Sequence, residues 1–532
     1  MAIARLPSWA LFVLLYAAVV LSHLTLLRLP YFWDEGGYYI PAALDFYRHG
    51  LLIPHFTNAH PPLPNVVLGT LWHVTGFHIL ATRLIVCAFA AAGLVAVLRL
   101  AERLVSSDVA LTVTLLTAVY PIWFAQSTLA HADIFAAAFT LWAFALYLPQ
   151  TVADVDAPPA TRQRPATRLW LISLLFSLAA LSKETSILQP AVLAALELCL
   201  LLADAPHRRE HLRRLAAMSF PLLPLVLWYV YHHHATGFTF GNPEYLRYNA
   251  TANLTAGHIL TALRYRFLHL VWQRQIWLPI TLALACMFLP RRSTSALLQP
   301  LSPIAWLLVG NWLAFSVLGG ALLTRYLLPM YPLILLLCVA TWREHTRLWP
   351  AFAALTAAAF VSAWWLNPPT SFAPEDNLTY RDMVVAHELA VDYVAQHYPH
   401  ATVLTAWPVS ADLYNPDLGY VTSPIRSYPI EDFTLAPVQP LVADIARTGV
   451  APYDTAIVFT THFLEPGFRQ YLASHPNTRR GREFARTHDL SPEEIAKLLG
   501  GEIVYQTDQH GEWAAVLRFN RSYEAQLDSA AR

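Results

Sequence analysis

Charge is what this sequence has least of. Lys, Arg, Asp and Glu make up 13% of its 532 residues, while hydrophobic residues make up 56%. A soluble globular chain is about 25% charged, so most of this one faces something other than water. The formal net charge is +0, which excludes a global basic field of the kind that draws in nucleic acid. Cysteine is scarce as well. Cys87, Cys199, Cys286 and Cys338 all fall in apolar segments, and the polar tail has none. That excludes a disulfide framework and a cysteine metal site in the tail, and it leaves the thiols as small buried hydrophobes. Internal repeats are absent too, and the only biased tract is the Pro/Ala/Arg stretch 157–168, read as a linker.

What the chain does have is long apolar runs. Residues 6–27 carry no Asp, Glu, Lys or Arg and are long enough to cross a bilayer. A signal h-region spans about 7–15 residues and ends at a small-residue cleavage site. This run is longer and continues into Arg28-Leu29-Pro30-Tyr31, so an uncleaved anchor is expected. Further runs lie near 80–98, 109–127, 132–150, 169–182, 187–203, 215–232, 275–290, 303–322, 326–341 and 348–366. Together they predict about eleven transmembrane helices.

Basic residues orient those spans. Arg5, Arg99, Arg103, Arg162, Arg164, Arg168, Arg208, Arg209, Arg213, Arg214, Arg291, Arg292, Arg343 and Arg347 fall on one side if every span crosses once. The positive-inside rule makes that side cytoplasmic, with the N-terminus. The outer side then holds the loop 29–79, the turns at 123–131, 183–186 and 323–326, the stretch 233–274, and the tail. In the first outer loop, 36–49 and 63–77 read as short helices lying at the interface. The stretch 240–274, with Arg247, Arg264, Arg266 and Arg274 among aromatics, is expected to do the same. The predicted boundaries are a transmembrane catalytic domain over 1–366 and an extracytoplasmic domain over 367–532.

Composition changes near residue 375, where charges become ordinary. Runs such as 401–404, 455–459 and 502–505 read as strands. Residues 380–398 and 491–499 read as helices, the latter capped by Ser491 with Glu493 and Glu494 in its first turn. Alternation of this kind predicts a soluble α/β domain.

The residues that could carry chemistry gather at outer helix ends. Asp34 and Glu35 follow the first span, within Tyr31-Phe32-Trp33-Asp34-Glu35-Gly36-Gly37-Tyr38-Tyr39. Anions at that depth are costly unless they have partners or a task. His60 opens His60-Pro61-Pro62-Leu63, Asp133 starts one span, Lys183 ends another, and Arg325-Tyr326 begins a third. Taken singly, each has a plain explanation: a carboxylate capping a helix, or a cation snorkelling to headgroups. Taken together they run against the usual basic bias. A carboxylate able to take a proton, with cations able to hold a departing phosphate, suits a transfer reaction.

The ordered set Asp34-Glu35, His60-Pro61-Pro62-Leu63, Arg83, Asp133, Lys183 and Arg325-Tyr326-Leu327-Leu328-Pro329-x-x-Pro332 resembles the GT-C membrane glycosyltransferases. The nearest look is to the family-39-like and aminoarabinose-transferase-like branch, related to protein O-mannosyltransferases. The resemblance covers about residues 6–366 in order and topology. It implies a multi-pass α-helical GT-C fold and an inverting glycosyltransferase that takes a sugar from a polyprenyl-phosphate donor on the extracytoplasmic face. It implies Asp34 as the catalytic base and Glu35 as its helper. His60, Lys183, Arg325 and Tyr326 become donor-phosphate contacts, and Asp133 and Arg83 become acceptor or supporting residues. His60 stands where the aminoarabinose branch has lysine and the protein mannosyltransferases have histidine.

Some members of the superfamily bind a divalent metal. Asp34, Glu35, Asp133 and the histidines follow no recognised metal spacing, and no metal is assigned. His232-His233-His234 point about 100° apart on a helix and cannot meet at one ion. The expected partners are a polyprenyl-phosphate-linked sugar, an acceptor lipid, glycan or protein, and membrane lipids, with no nucleic acid. The alternative class, a non-enzymatic lipid or polysaccharide transporter or flippase, calls for inverted repeats and ionisable residues at mid-span. The sequence shows neither.

Overall fold

The computed structural model describes residues 6–53, 60–148, 165–241, 243, 246, 255–292, 301–318, 321–368, 372–449, 451–461 and 466–519. Arg5, Arg162, Arg164 and Arg247 lie outside the described residues. The chain divides into two compact units, Met1–Leu27 with Tyr38–Trp364, and Arg28–Gly37 with Trp365–Arg532.

The first unit is helical, and its first helix is shorter than its apolar run. Helix α1 is Ser8–Ser22. The chain leaves it at His23, whose Nδ1 lies 2.7 Å from Val19 O and whose Nε2 lies 2.9 Å from Phe124 O. The buried imidazole donates to one or the other of these carbonyls, depending on its tautomer, and the helix expected over 6–28 stops at Ser22. After the turn Glu35–Tyr39 come α2 (Ile40–His49) and α3 (Leu63–Thr75), the two outer-loop helices read from the sequence. A Cβ on Gly69 would meet Phe46 Cδ1 at 2.6 Å and Ala43 O at 3.1 Å. Only glycine lets α2 and α3 cross backbone to backbone.

Helix α4 (Ile79–Leu104) is buried along most of its length and packs on α1, α5 (Ser107–Val119) and α7 (Ala132–Tyr147). The run 109–127 is not one helix. It breaks at Tyr120-Pro121 into α5 and α6 (Pro121–Gln126), because proline has no N–H to continue a ladder. Helix α8 (Pro165–Ser182) lies against α7. The chain continues through α9 (Leu188–Ala203), α10 (Arg208–Ser219), α11 (Leu222–Thr236) and α12 (Ala256–Val271). It ends with α13 (Trp277–Cys286), α14 (Leu301–Leu318), α15 (Met330–His345) and α16 (Trp349–Ser362).

Among the described residues, Ile79–Leu104, Glu184–Ala203 and Ala205–Thr236 are long and apolar enough to cross a membrane by length and composition, and shorter apolar helices accompany them. Leu21, Leu202, Leu227, Val230 and Phe288 stand exposed, as lipid-facing residues would. Cys87, Cys286 and Cys338 are buried, but Cys199 on α9 is exposed, against the expectation that all four thiols pack inside.

The C-terminal end of α7 explains some of the arginines. Arg103 donates to Ala145 O at 2.8 Å and Arg168 to Leu146 O at 2.7 Å, satisfying carbonyls that a helix end leaves open. Beside them Glu197, fully buried, accepts a hydrogen bond from Tyr147 Oη and lies 2.6 Å from His211 Nδ1. The arginines therefore collect at the end of α7 remote from Asp133.

The second unit carries a five-stranded sheet of β1 (Val403–Ala406), β2 (Ser427–Ile430), β3 (Thr455–Phe459), β4 (Glu502–Gln509) and β5 (Glu512–Arg518). The strand order is β2-β1-β3-β5-β4, with β1 parallel to both neighbours and β5 antiparallel to both of its own. Helix α17 (Thr379–His397) packs on β3, β4 and β5. The helix Pro492–Leu499 has the expected cap. Ser491 Oγ accepts from Glu494 N, and Ser491 N donates to Glu494 Oε2 at 2.7 Å.

Candidate functional site

Asp133 is the second residue of α7, where the positive end of the helix favours a carboxylate. Lys183 follows the last turn of α8 in extended conformation, its N–H still bonded to Ala179 O. Arg325 lies in the turn Thr324–Leu327 that leads into α15. Packing brings these three helix ends together. Lys183 Nζ donates to Asp133 Oδ1 at 2.6 Å, and Arg325 Nε is 3.4 Å from Asp133 Oδ2. All three side chains are buried. The ring of Tyr326 lies under Lys183, 3.9 Å from Nζ to the centroid. The cleft here is lined by Asp133, Lys183, Ser186, Gln189, Arg325 and Tyr326, with Phe315 and Pro329 as apolar walls.

His60 joins a neighbouring pair. Its Nδ1 is 2.8 Å from Glu184 Oε2, and its ring stacks on Tyr39 with centroids 5.7 Å apart. Tyr39 also touches His131, which is fully buried and 3.0 Å from Gln126 Oε1 through Nδ1. Arg325, Lys183, Arg83 and His60 all act electrostatically on His131. Sequence reading passed over His131 and Glu184 as site residues. The only signal was their place beside Asp133 and Lys183. Arg83 is buried on α4 and donates to Thr128 O at 2.7 Å, so it holds the turn that precedes α7.

Arg266 on α12, which the sequence offered only as one of four arginines in an interfacial stretch, is also fully buried. It donates to Ala321 O at 2.7 Å and to Leu323 O, and its guanidinium lies 5.3 Å from the Tyr326 ring. It fixes the backbone that delivers Arg325 and Tyr326.

Asp34 and Glu35 belong to the second unit, which includes Arg28–Gly37. Glu35 is fully buried, and its Oε2 accepts the N–H of Phe32 at 2.9 Å while its own N–H donates to Phe32 O at 2.8 Å. The Glu35 carboxylate thus closes its own loop. Asp34 is half-buried beside it, and Trp33 just before it has φ 40, a left-handed conformation unusual for a bulky residue and common at functional sites.

The second unit also buries titratable groups. Glu512 is 1% exposed with no hydrogen-bond partner for either carboxyl oxygen. Burial, then the nearby Asp382, Asp489 and Asp508, push its carboxyl up to about 8. His387 and Asp412 sit 3.9 Å apart, both buried. Burial lowers His387 to about 3, which leaves it neutral at pH 7, and raises Asp412 well above its ordinary carboxyl value.

Among the described residues no group of three or more His, Cys, Asp or Glu is arranged to hold a metal ion. His232 is buried against Phe238 O at 2.8 Å while His233 and His234 are exposed, and the three do not converge.

A family profile for dolichyl-phosphate-mannose-protein mannosyltransferase matches residues 59–232. No curated protein sequence matches the chain. Among solved structures, the chain is similar to ArnT from Cupriavidus metallidurans bound to undecaprenyl phosphate, with TM-score 0.54 and 15% identity over 95% of this chain and 97% of that one. The apo crystal structure of the same protein gives TM-score 0.55 and 14% identity, again over 95% and 97%. The fold is thus the expected one, a multi-pass α-helical GT-C arrangement carrying a small C-terminal sheet domain.

Proposed function

We propose that this chain is an integral-membrane inverting glycosyltransferase that moves a sugar from a polyprenyl-phosphate carrier to an acceptor on the extracytoplasmic face. The observation that carries the reading is the convergence of Lys183 and Arg325 on the single carboxylate of Asp133, in a cleft floored by Tyr326. Two buried cations sharing one anion form a place where a phosphate is welcome, through charge-assisted hydrogen bonds. A protein of similar fold was solved with undecaprenyl phosphate, and a carrier of that class is the donor proposed here. Residues 59–232 of the family match include His60, Arg83, Asp133 and Lys183.

In this reading Asp34 takes the proton from the acceptor's hydroxyl or amine as that atom attacks the anomeric carbon. The bond from that carbon to the phosphate oxygen breaks on the opposite side, which inverts the centre. The electron pair leaves with the phosphate, held by Lys183 and Arg325, with His60 alongside. Glu35 keeps the Asp34 loop closed, and Asp133 keeps the two cations in place before the donor arrives. Arg103 and Arg168, gathered at the opposite end of α7, support the cytoplasmic assignment of that end.

The test uses full-length protein in proteoliposomes supplied with a radiolabelled extract of polyprenyl-phosphate sugars. Asp34→Asn should abolish transfer while undecaprenyl phosphate still binds. Lys183→Met should weaken undecaprenyl phosphate binding about tenfold or more, the loss of one charged hydrogen bond. Full transfer by Asp34→Asn would overturn the mechanism.

A further inference from the structure

The segment that carries Asp34 is bonded into the C-terminal α/β unit by backbone and by ring contacts. Tyr31 N donates to Leu418 O at 3.0 Å, and Tyr420 Oη donates to Tyr31 O at 3.3 Å. Phe32 faces Tyr380 at 5.8 Å, and Trp33 meets Trp407 edge to face at 4.7 Å and 82°. The two glycines after Glu35 are spaced by the same surface. A Cβ on Gly37 would stand 2.9 Å from Trp407 Cζ2, and one on Gly36 would stand 3.2 Å from Leu418 Cδ1.

Trp407 directly follows β1, the strand with parallel neighbours on both sides. Loops at the carboxyl ends of such strands are where α/β sheets present functional side chains. Trp407 is only half-buried, whereas Val403, Leu404 and Ala406 of β1 are fully buried. Its indole instead braces Trp33, the residue whose positive φ turns the chain at Asp34. A strained backbone persists only where its surroundings over-determine it.

We propose that Trp407 is a positioning residue for Asp34, and that the C-terminal unit serves the reaction by holding the base's loop in its strained form. This inference rests on the reading of Asp34 as the base. Trp407 touches no reacting atom; it acts through Trp33 and Gly37. A loop released by even about 1 Å costs up to ~100-fold in rate.

The experiment compares Trp407→Ala, Trp407→Phe, Gly37→Ala and Asp34→Asn in full-length protein, with transfer from the labelled extract and hydrogen exchange of residues 31–37. Trp407→Ala should lower kcat about tenfold or more, leave the donor KM and undecaprenyl phosphate binding unchanged, and speed exchange at Tyr31 and Gly37. Trp407→Phe should restore most of the rate. Gly37→Ala, which leaves the sheet core untouched, should reproduce the Trp407→Ala phenotype. An inactive Asp34→Asn beside a Trp407→Ala of unchanged rate and exchange overturns this inference alone. Full activity in Asp34→Asn overturns the base assignment and this inference with it. A Trp407→Ala loss accompanied by equally weakened undecaprenyl phosphate binding shows general unfolding and also overturns it.

Discussion

Lys183 Nζ lies 2.6 Å from Asp133 Oδ1, and Arg325 reaches the other oxygen of the same carboxylate at 3.4 Å. The two cations come from helix ends far apart in sequence, and each side chain is buried. Burying a charge is repaid only by a well-placed partner. Here one carboxylate serves two partners, an arrangement that is asymmetric toward mutation.

Lys183→Met leaves Arg325 and Asp133 as a one-to-one pair, so its melting temperature should stay close to that of the parent. Asp133→Asn leaves two cations without their shared anion, and breaking a buried pair in that way costs about 3–5 kcal/mol. Its melting temperature should fall well below the parent's. Undecaprenyl phosphate supplies the missing negative charge, so it should raise the melting temperature of Asp133→Asn more than that of the parent. Thermal unfolding in detergent, with and without that lipid, measures all three. Equal shifts in the parent and Asp133→Asn would remove the phosphate from this cleft.

His60 and Glu184 invite a second test. The 2.8 Å contact through Nδ1 orients the imidazole. Glu184→Gln keeps an acceptor oxygen and should retain most activity. Glu184→Ala removes a hydrogen bond to a charged group, worth ~1.5–3 kcal/mol, and should lower kcat/KM by about tenfold to hundredfold. Equal activity in the two variants would mean that Glu184 does not orient His60.

How far the sequence foretold this arrangement depends on the kind of signal. Asp133, Lys183 and Arg325 were legible because a charge at the end of an apolar run stands out against so few others. Ser491 and Glu494 were legible because a capping box is a local pattern. His131, Glu184 and Arg266 were not, since their partners are fixed only when helices pack. The run 6–28 looked like one span because hydropathy does not register the carbonyls that hold His23. Least legible was the membership of Arg28–Gly37 in the C-terminal unit. Nothing local in Trp33 or Gly37 announces Trp407, with the whole membrane unit between them in sequence.

Close packing at Gly69 should be equally unforgiving. A methyl there would press on Phe46 Cδ1 and on the carbonyl of Ala43, and backbone cannot yield as a side chain can. Overpacking of this kind costs about 1–3 kcal/mol. Gly69→Ala should therefore lower the melting temperature and loosen α2 and α3, seen as faster hydrogen exchange between residues 40 and 75. Exchange unchanged from the parent would show that the pair has room to spare.

The α/β unit should lose stability as pH rises, and Glu512 supplies the reason. Its carboxyl titrates near 8 when folded, pushed up first by burial and then by Asp382, Asp489 and Asp508, against about 4.3 in an unfolded chain. The folded state thus holds a proton that the unfolded state gives up across that interval. Stability from this group is complete below pH 4.3 and falls as pH climbs toward 8, by up to about 1.4 kcal/mol per pH unit. Above pH 8 both states are ionised and the decline stops. Glu512→Gln, which keeps the shape and has no proton to lose, should flatten that slope. Hydrogen exchange in β4 and β5, corrected for intrinsic rates and measured from pH 5 to 9, reads the difference directly. The parent should show protection shrinking with pH in this hairpin while the variant stays level. Parallel curves for the two proteins would mean that Glu512 is ionised in the folded chain and finds its compensation elsewhere.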